Sequence, residues 1–172
     1  CIRDSWLGGH AAIVRAMPNT PALVRCGITG LYAPAAVDHA ARERAARLLS
    51  AVGETVWLER EDDLDAVTAV SGSGPAYVFY LMEALERAGR EMGLAPDAAR
   101  KLALQTFVGA ATLAQSRAED PAILRAQVTS PGGTTERALA EMERAGLKSA
   151  FIEAVKAARS RSAELGDAFG KD

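Results

Sequence analysis

The stretch Leu102–Ala114 constrains the fold of this chain more than any other. Leu102, Ala103, Leu104, Phe107, Val108 and Leu113, with Gly109, Ala110 and Ala111 between them, put apolar positions nearly all round a helix. A helix without a polar face has to be buried on every side. So short a region achieves that more easily when a second subunit covers it. The surrounding pattern is helical as well. Tyr77, Leu81, Ala84, Leu85, Ala88 and Met92 recur at helical spacing up to Gly93, and Pro96-Asp97 opens the apolar helix itself. A further stripe runs along Leu147, Phe151, Val155, Ala158, Ser162 and Leu165. Hydrophobic content of 49% with only 5% aromatic residues suits closely packed Ala- and Leu-rich helices.

Before about Arg60 the pattern is different. Ala12–Arg15, Gly27–Tyr32 and Gly53–Leu58 read as strands, and Ala35–Val52 reads as a helix between the last two. Three strands and one helix alternate as α/β, but they make an incomplete layered domain. A net charge of −2 and no clustered Lys or Arg argue against a nucleic-acid partner. No apolar run approaches the ~20 residues that span a bilayer, so no membrane partner is expected. Cys1, Cys26, His10 and His39 match no metal-ligand spacing, so no metal is expected. Two thiols in a chain of this size are compatible with a reducing cytoplasm.

Three segments carry chemistry. In Val128–Glu136, Ser130 can cap a helix start, and Pro131 loses nothing in a first turn whose N–H groups lack partners. Gly132 and Gly133 allow close approach to the backbone, while Thr134 and Thr135 add hydroxyls. The positive end of the helix dipole would favour a carboxylate or phosphate there. The same residues also read as a capped helix with no ligand. Arg15–Pro21 follows the first strand, and its two prolines stop that strand from continuing. Asn19 could serve a ligand at the strand's carboxyl end or only bond its own turn. Ser71–Tyr77 begins like a dinucleotide fingerprint, but Tyr77 stands where the third glycine belongs. It reads instead as a glycine-relaxed helix entrance.

Together, Met17-Pro18-Asn19-Thr20-Pro21, Ser71-Gly72-Ser73-Gly74-Pro75-Ala76-Tyr77 and Ser130-Pro131-Gly132-Gly133-Thr134-Thr135 resemble the motifs of the pyrroline-5-carboxylate reductases, in that family's order. The resemblance extends from about Trp6 to Leu165. It implies a mainly α chain, in which the last strands and helix of an α/β Rossmann domain (1–60) precede a helical dimerisation and substrate domain (61–172). It also implies reduction of Δ1-pyrroline-5-carboxylate to L-proline by NADPH or NADH in the cytoplasm. The family's Gly-x-Gly-x-x-Gly loop is missing and Gly8-Gly9 cannot replace it, so a preceding portion of roughly 100 residues is expected, and the chain alone should be inactive.

By the same resemblance, Ser130 and Gly132 belong to the substrate loop, and the N–H groups of Gly133, Thr134 and Thr135 hold the substrate carboxylate. Thr135 is the catalytic residue, its hydroxyl beside the ring nitrogen. Met17, Pro18 and Asn19 border the nicotinamide. Glu61 stands at the position of an acidic residue near the substrate, although a solvated surface acid fits it equally. Partners are the substrate, proline and a second copy of the chain, with higher homo-oligomers left open. A non-catalytic helical oligomerisation module is the competing reading.

Overall fold

The computed structural model describes His10 and residues 12–169, so the expectations for Cys1, for Gly8-Gly9 and for the extreme carboxyl end lie outside it. The architecture is mainly helical. Three strands, β1 (Arg15–Met17), β2 (Gly27–Tyr32) and β3 (Gly53–Trp57), form one sheet in the order β1-β2-β3. β1 runs antiparallel to β2 and β3 parallel to it, with Gly27 opposite Gly53 and Leu31 opposite Trp57. Helix α1 (His39–Leu49) and a 3-10 turn (Ser50–Val52) provide the crossover that a parallel pair requires. Then follow α2 (Asp63–Val67), a π turn (Thr68–Gly72), α3 (Gly74–Glu91), α4 (Pro96–Gln115), α5 (Pro121–Gln127), α6 (Thr134–Arg144) and α7 (Leu147–Phe169).

Two compact units divide the chain: residues up to Ala76 with those from Ile152 onward, and Tyr77–Phe151. In the first, the central strand β2 supplies fully buried Leu31, and Ala33, Val37, Leu64 and Ala69 complete the core. The Arg42 guanidinium fixes the segment after β2 by donating to the carbonyls of Ala33 (2.7 Å) and Pro34 (3.1 Å). It also lies 5.4 Å over the Trp57 ring. Asp38 starts α1 by accepting from the Ala41 amide at 2.6 Å, which places the helix start at His39 rather than near Ala35. In this unit Ser162 of α7 donates to Asp65 of α2 at 2.7 Å.

One expectation needs correction. Ala12–Val14 is not a strand, because only Arg15–Met17 find partners on β2 and Pro18 then ends the ladder. The apolar helix α4 is not covered on every side within the chain. Ala103 is buried, but Leu102 is 57% exposed and Val108 48%. A single chain leaves part of α4 open, where the sequence calls for a second subunit to cover it.

Candidate functional site

The turn after β1 belongs to the first unit. Asn19 does more there than hold its own turn. Its Oδ1 accepts from the Ile28 amide (3.0 Å), and its Nδ2 donates to the Ser71 carbonyl (3.1 Å). The backbone carbonyl of Asn19 also accepts from the Ala22 amide at 3.1 Å, closing the Thr20–Val24 3-10 turn. Pro18 is exposed beside half-buried Met17, so the turn presents an apolar surface at the carboxyl end of a strand. An aromatic ring's face suits such a surface. The residues present therefore fit the nicotinamide end of a dinucleotide, and this chain has no Gly-x-Gly-x-x-Gly loop to take the pyrophosphate.

Glu61 lies in the same unit, paired through Oε1 with Nη1 of Arg15 at 2.7 Å. Both side chains are more than a third exposed, so the pair is worth at most about 1 kcal/mol. It nevertheless ties the loop before α2 to the first residue of β1. Next to it, Arg60 bonds Asp63 at 2.6 Å, and that hydrogen bond is the main cause holding the Asp63 carboxyl below its ordinary value.

The loop before α6 belongs to the second unit, and its geometry corrects the sequence reading. Ser130 is not the cap and Pro131 is not in the first turn. The cap position is Gly133, which has no side-chain cap bond, and the helix begins at Thr134. Gly132, at φ 71°, turns the chain through the left-handed region. This turn delays the helix, and the Gly133 N–H is spent on the Ser130 carbonyl at 3.0 Å. A Cβ on Gly133 would come within 2.6 Å of Ser130 Oγ, so this glycine is needed for the turn.

Glu136 was missed by the sequence reading. Its Oε2 accepts from the Gly132 amide at 2.7 Å, closing the loop over the helix start. An acid three residues past a helix cap is a recognisable signal, since its carboxylate can reach back to the orphan amides. What remains are the amides of Thr134, Thr135 and Glu136, which make no hydrogen bond among the described residues, and the exposed threonine hydroxyls. Three free donors at the positive end of an 11-residue helix suit a carboxylate.

Asn19, Met17 and Glu61 are thus gathered in one unit, and Ser130 through Glu136 in the other. No group of three or more His, Cys, Asp or Glu that could hold a metal occurs among the described residues, and none of their helices is long and apolar enough to cross a membrane.

The family described as pyrroline-5-carboxylate reductase dimerisation matches residues 61–165. A pyrroline-5-carboxylate reductase of Pseudomonas aeruginosa is 51% identical over 168 residues, covering 98% of this chain and 62% of that protein. One from Synechocystis is 50% identical, with 90% and 58% covered. The chain thus spans about three-fifths of the length of such relatives. Among solved structures, a pyrroline-5-carboxylate reductase from Coxiella burnetii superposes with a TM-score of 0.90 at 46% identity, covering 94% of this chain and 60% of that one. The Plasmodium falciparum pyrroline carboxylate reductase with NADP bound gives 0.83 at 32%, with 92% and 64% covered.

Proposed function

The chain belongs to the pyrroline-5-carboxylate reductase dimerisation family, and from that premise we propose that it serves in the NADPH- or NADH-dependent reduction of Δ1-pyrroline-5-carboxylate to L-proline. The observation that carries this reading is the entrance of α6, where unpaired amides and two hydroxyls meet the positive end of a helix. The substrate is a small acid with a ring imine, so it needs one group to hold a carboxylate and another beside a nitrogen.

In this reading the amides of Thr134 and Thr135 hold the carboxylate, joined by that of Glu136, because the Gly133 amide is already engaged. Ser130, Gly132 and Gly133 shape the loop around it. The Thr135 hydroxyl lies at the ring nitrogen and orients the imine or relays a proton to it. A hydroxyl is too weak an acid to protonate the imine unaided. The nicotinamide cofactor supplies a hydride to the imine carbon when bound. Met17, Pro18 and Asn19 border its ring, and catalysis rests mainly on holding the reacting atoms in line.

Residues 1–60 derive from a dinucleotide-binding domain and 61–172 form the helical domain. The active assembly is a homodimer or a larger homo-oligomer, and the two-thiol composition fits a cytoplasmic enzyme. The given sequence contains no Gly-x-Gly-x-x-Gly loop for the cofactor's pyrophosphate, so the reaction is tested with that part supplied.

The test joins this chain behind the amino-terminal segment of the Pseudomonas aeruginosa relative that it does not match. Steady-state kinetics with proline as product inhibitor then compare the parent with Thr135→Ala. Turnover should fall roughly ten- to a thousand-fold, as when one aligning hydrogen bond is lost, while proline inhibition stays within about threefold because the amides remain. Unchanged turnover would remove Thr135 from the chemistry. A folded dimeric parent with no reductase activity would favour the plain oligomerisation module.

A further inference from the structure

Pro75 leaves an unusual gap in the backbone ladder. In a continuous α-helix the Ser71 carbonyl would accept from residue 75, but proline has no N–H to give. The wider π turn does not fill the gap either, since the Ala76 amide goes to Ser73 at 3.0 Å and the Ser73 amide to Thr68 at 2.8 Å. A half-buried carbonyl without a donor is costly. Asn19 supplies the donor from the turn after β1, and anchors its other end on the Ile28 amide. One residue further, a Cβ on Gly72 would stand 2.7 Å from the Met17 Cε. The missing side chain of Gly72 is therefore the seat of the Met17 methyl.

We propose that Asn19 and Gly72 act as a latch that positions the Met17–Pro18 turn against the π turn. Neither is a reacting group. Asn19 fixes the backbone of the turn through the orphaned Ser71 carbonyl, and Gly72 fixes where the Met17 side chain ends. Resting on the reductase reading above, the latch sets the surface that the nicotinamide ring meets, so its integrity governs cofactor affinity. π turns inside helices frequently mark functional sites, which agrees with this placement.

A double-mutant cycle tests the latch. Gly72→Ala displaces only the flexible end of Met17, so folding should survive, with Tm within a few degrees of the parent. In the fused protein described above, calorimetry should show Gly72→Ala weakening NADPH binding about three- to thirtyfold, which lies within the coupling found for residues in contact. In a Met17→Ala background the same substitution should change the affinity less than about twofold. Equal effects in both backgrounds, or none in either, would overturn the proposal.

A second measurement needs no cofactor and uses this chain alone. Asn19→Asp keeps an acceptor for the Ile28 amide and deletes the donor to Ser71. Hydrogen exchange should quicken at Ser73 and Ala76 and stay slow at Ile28. Unchanged exchange at Ser73 and Ala76 would rule the latch out. Loss of NADPH binding by the unsubstituted fused protein would instead count against the reductase reading.

Discussion

Tyr77 closes the Ser71–Tyr77 motif, and its hydroxyl is buried with no hydrogen-bond partner among the described residues. Its ring packs edge-on against Phe151, with centroids 5.7 Å apart and planes at 84°. The ring contributes packing and the hydroxyl contributes a penalty, on the order of 1–3 kcal/mol for a buried unsatisfied group. Tyr77→Phe keeps the first and removes the second. Denaturant unfolding of this chain should show equal or greater stability, by about 1 kcal/mol. A clear loss would show that the hydroxyl is bonded in solution. Gly132 presents the opposite case. At φ 71° a Cβ is strained whatever space surrounds it, so Gly132→Ala should cost about 1–2 kcal/mol. The same change should loosen the turn that the Gly132 amide closes on Glu136, and exchange at that amide should rise in parallel.

The Arg60–Asp63 pair at the start of α2 shows how one element responds to pH. Arg60 lowers the Asp63 carboxyl below its ordinary 3.8, chiefly through the side-chain hydrogen bond. A carboxyl whose value is lower folded than unfolded stabilises the fold above the ordinary value. That contribution fades as pH falls through the lowered one. Arg60→Gln should therefore melt below the parent at neutral pH, and the two melting curves should converge in acid, below the ordinary carboxylate range. A gap that persists at low pH would assign the difference to something other than this pair. At this scale the sequence was readable where a signal is local. Gly27–Tyr32 forms β2 as its pattern indicates, and Pro96 opens α4. β1 was misplaced because a strand exists only where a partner pairs with it, and β2 accepts just three of its residues. The seven-residue helix α5 is too short to show periodicity, although Asp120-Pro121 is a readable start whose carboxylate accepts from Ala122 at 2.7 Å. In the site, the threonines and glycines announced themselves by type. The engagement of Gly133, the reach of Glu136 and the service of Asn19 to Ser71 depend on turn geometry and on contacts distant in sequence.

The largest consequence concerns how many chains make the stable molecule. In the first unit, buried Leu31, Ala33, Val37, Leu64 and Ala69 surround β2 and form a core. In the second, the buried hydrophobic residues are only Ala99 and Ala103, while Phe79 is 58% exposed and Tyr80 72%. A unit that leaves such side chains in water forgoes about 25 cal/mol for each Å² of apolar surface it could bury. An exposed apolar face of this kind marks an association surface. The apolar helix α4 lies in this unit, which makes a second copy of the chain the natural cover. Val108→Glu discriminates between the two states of that helix. If Val108 stays about half exposed in solution, the change falls in the surface class and shifts stability by no more than roughly 0.5 kcal/mol. If a second copy covers it, the carboxylate must be buried without a partner, and association should fail. The expected outcome is a dimer or larger species of the parent in sedimentation at micromolar concentration, with a melting temperature that rises with concentration. Val108→Glu should sediment as a monomer or aggregate and lose that dependence. A parent that sediments as a cooperative monomer at all concentrations, and tolerates Val108→Glu, would mean that α4 is stable as it stands in the single chain.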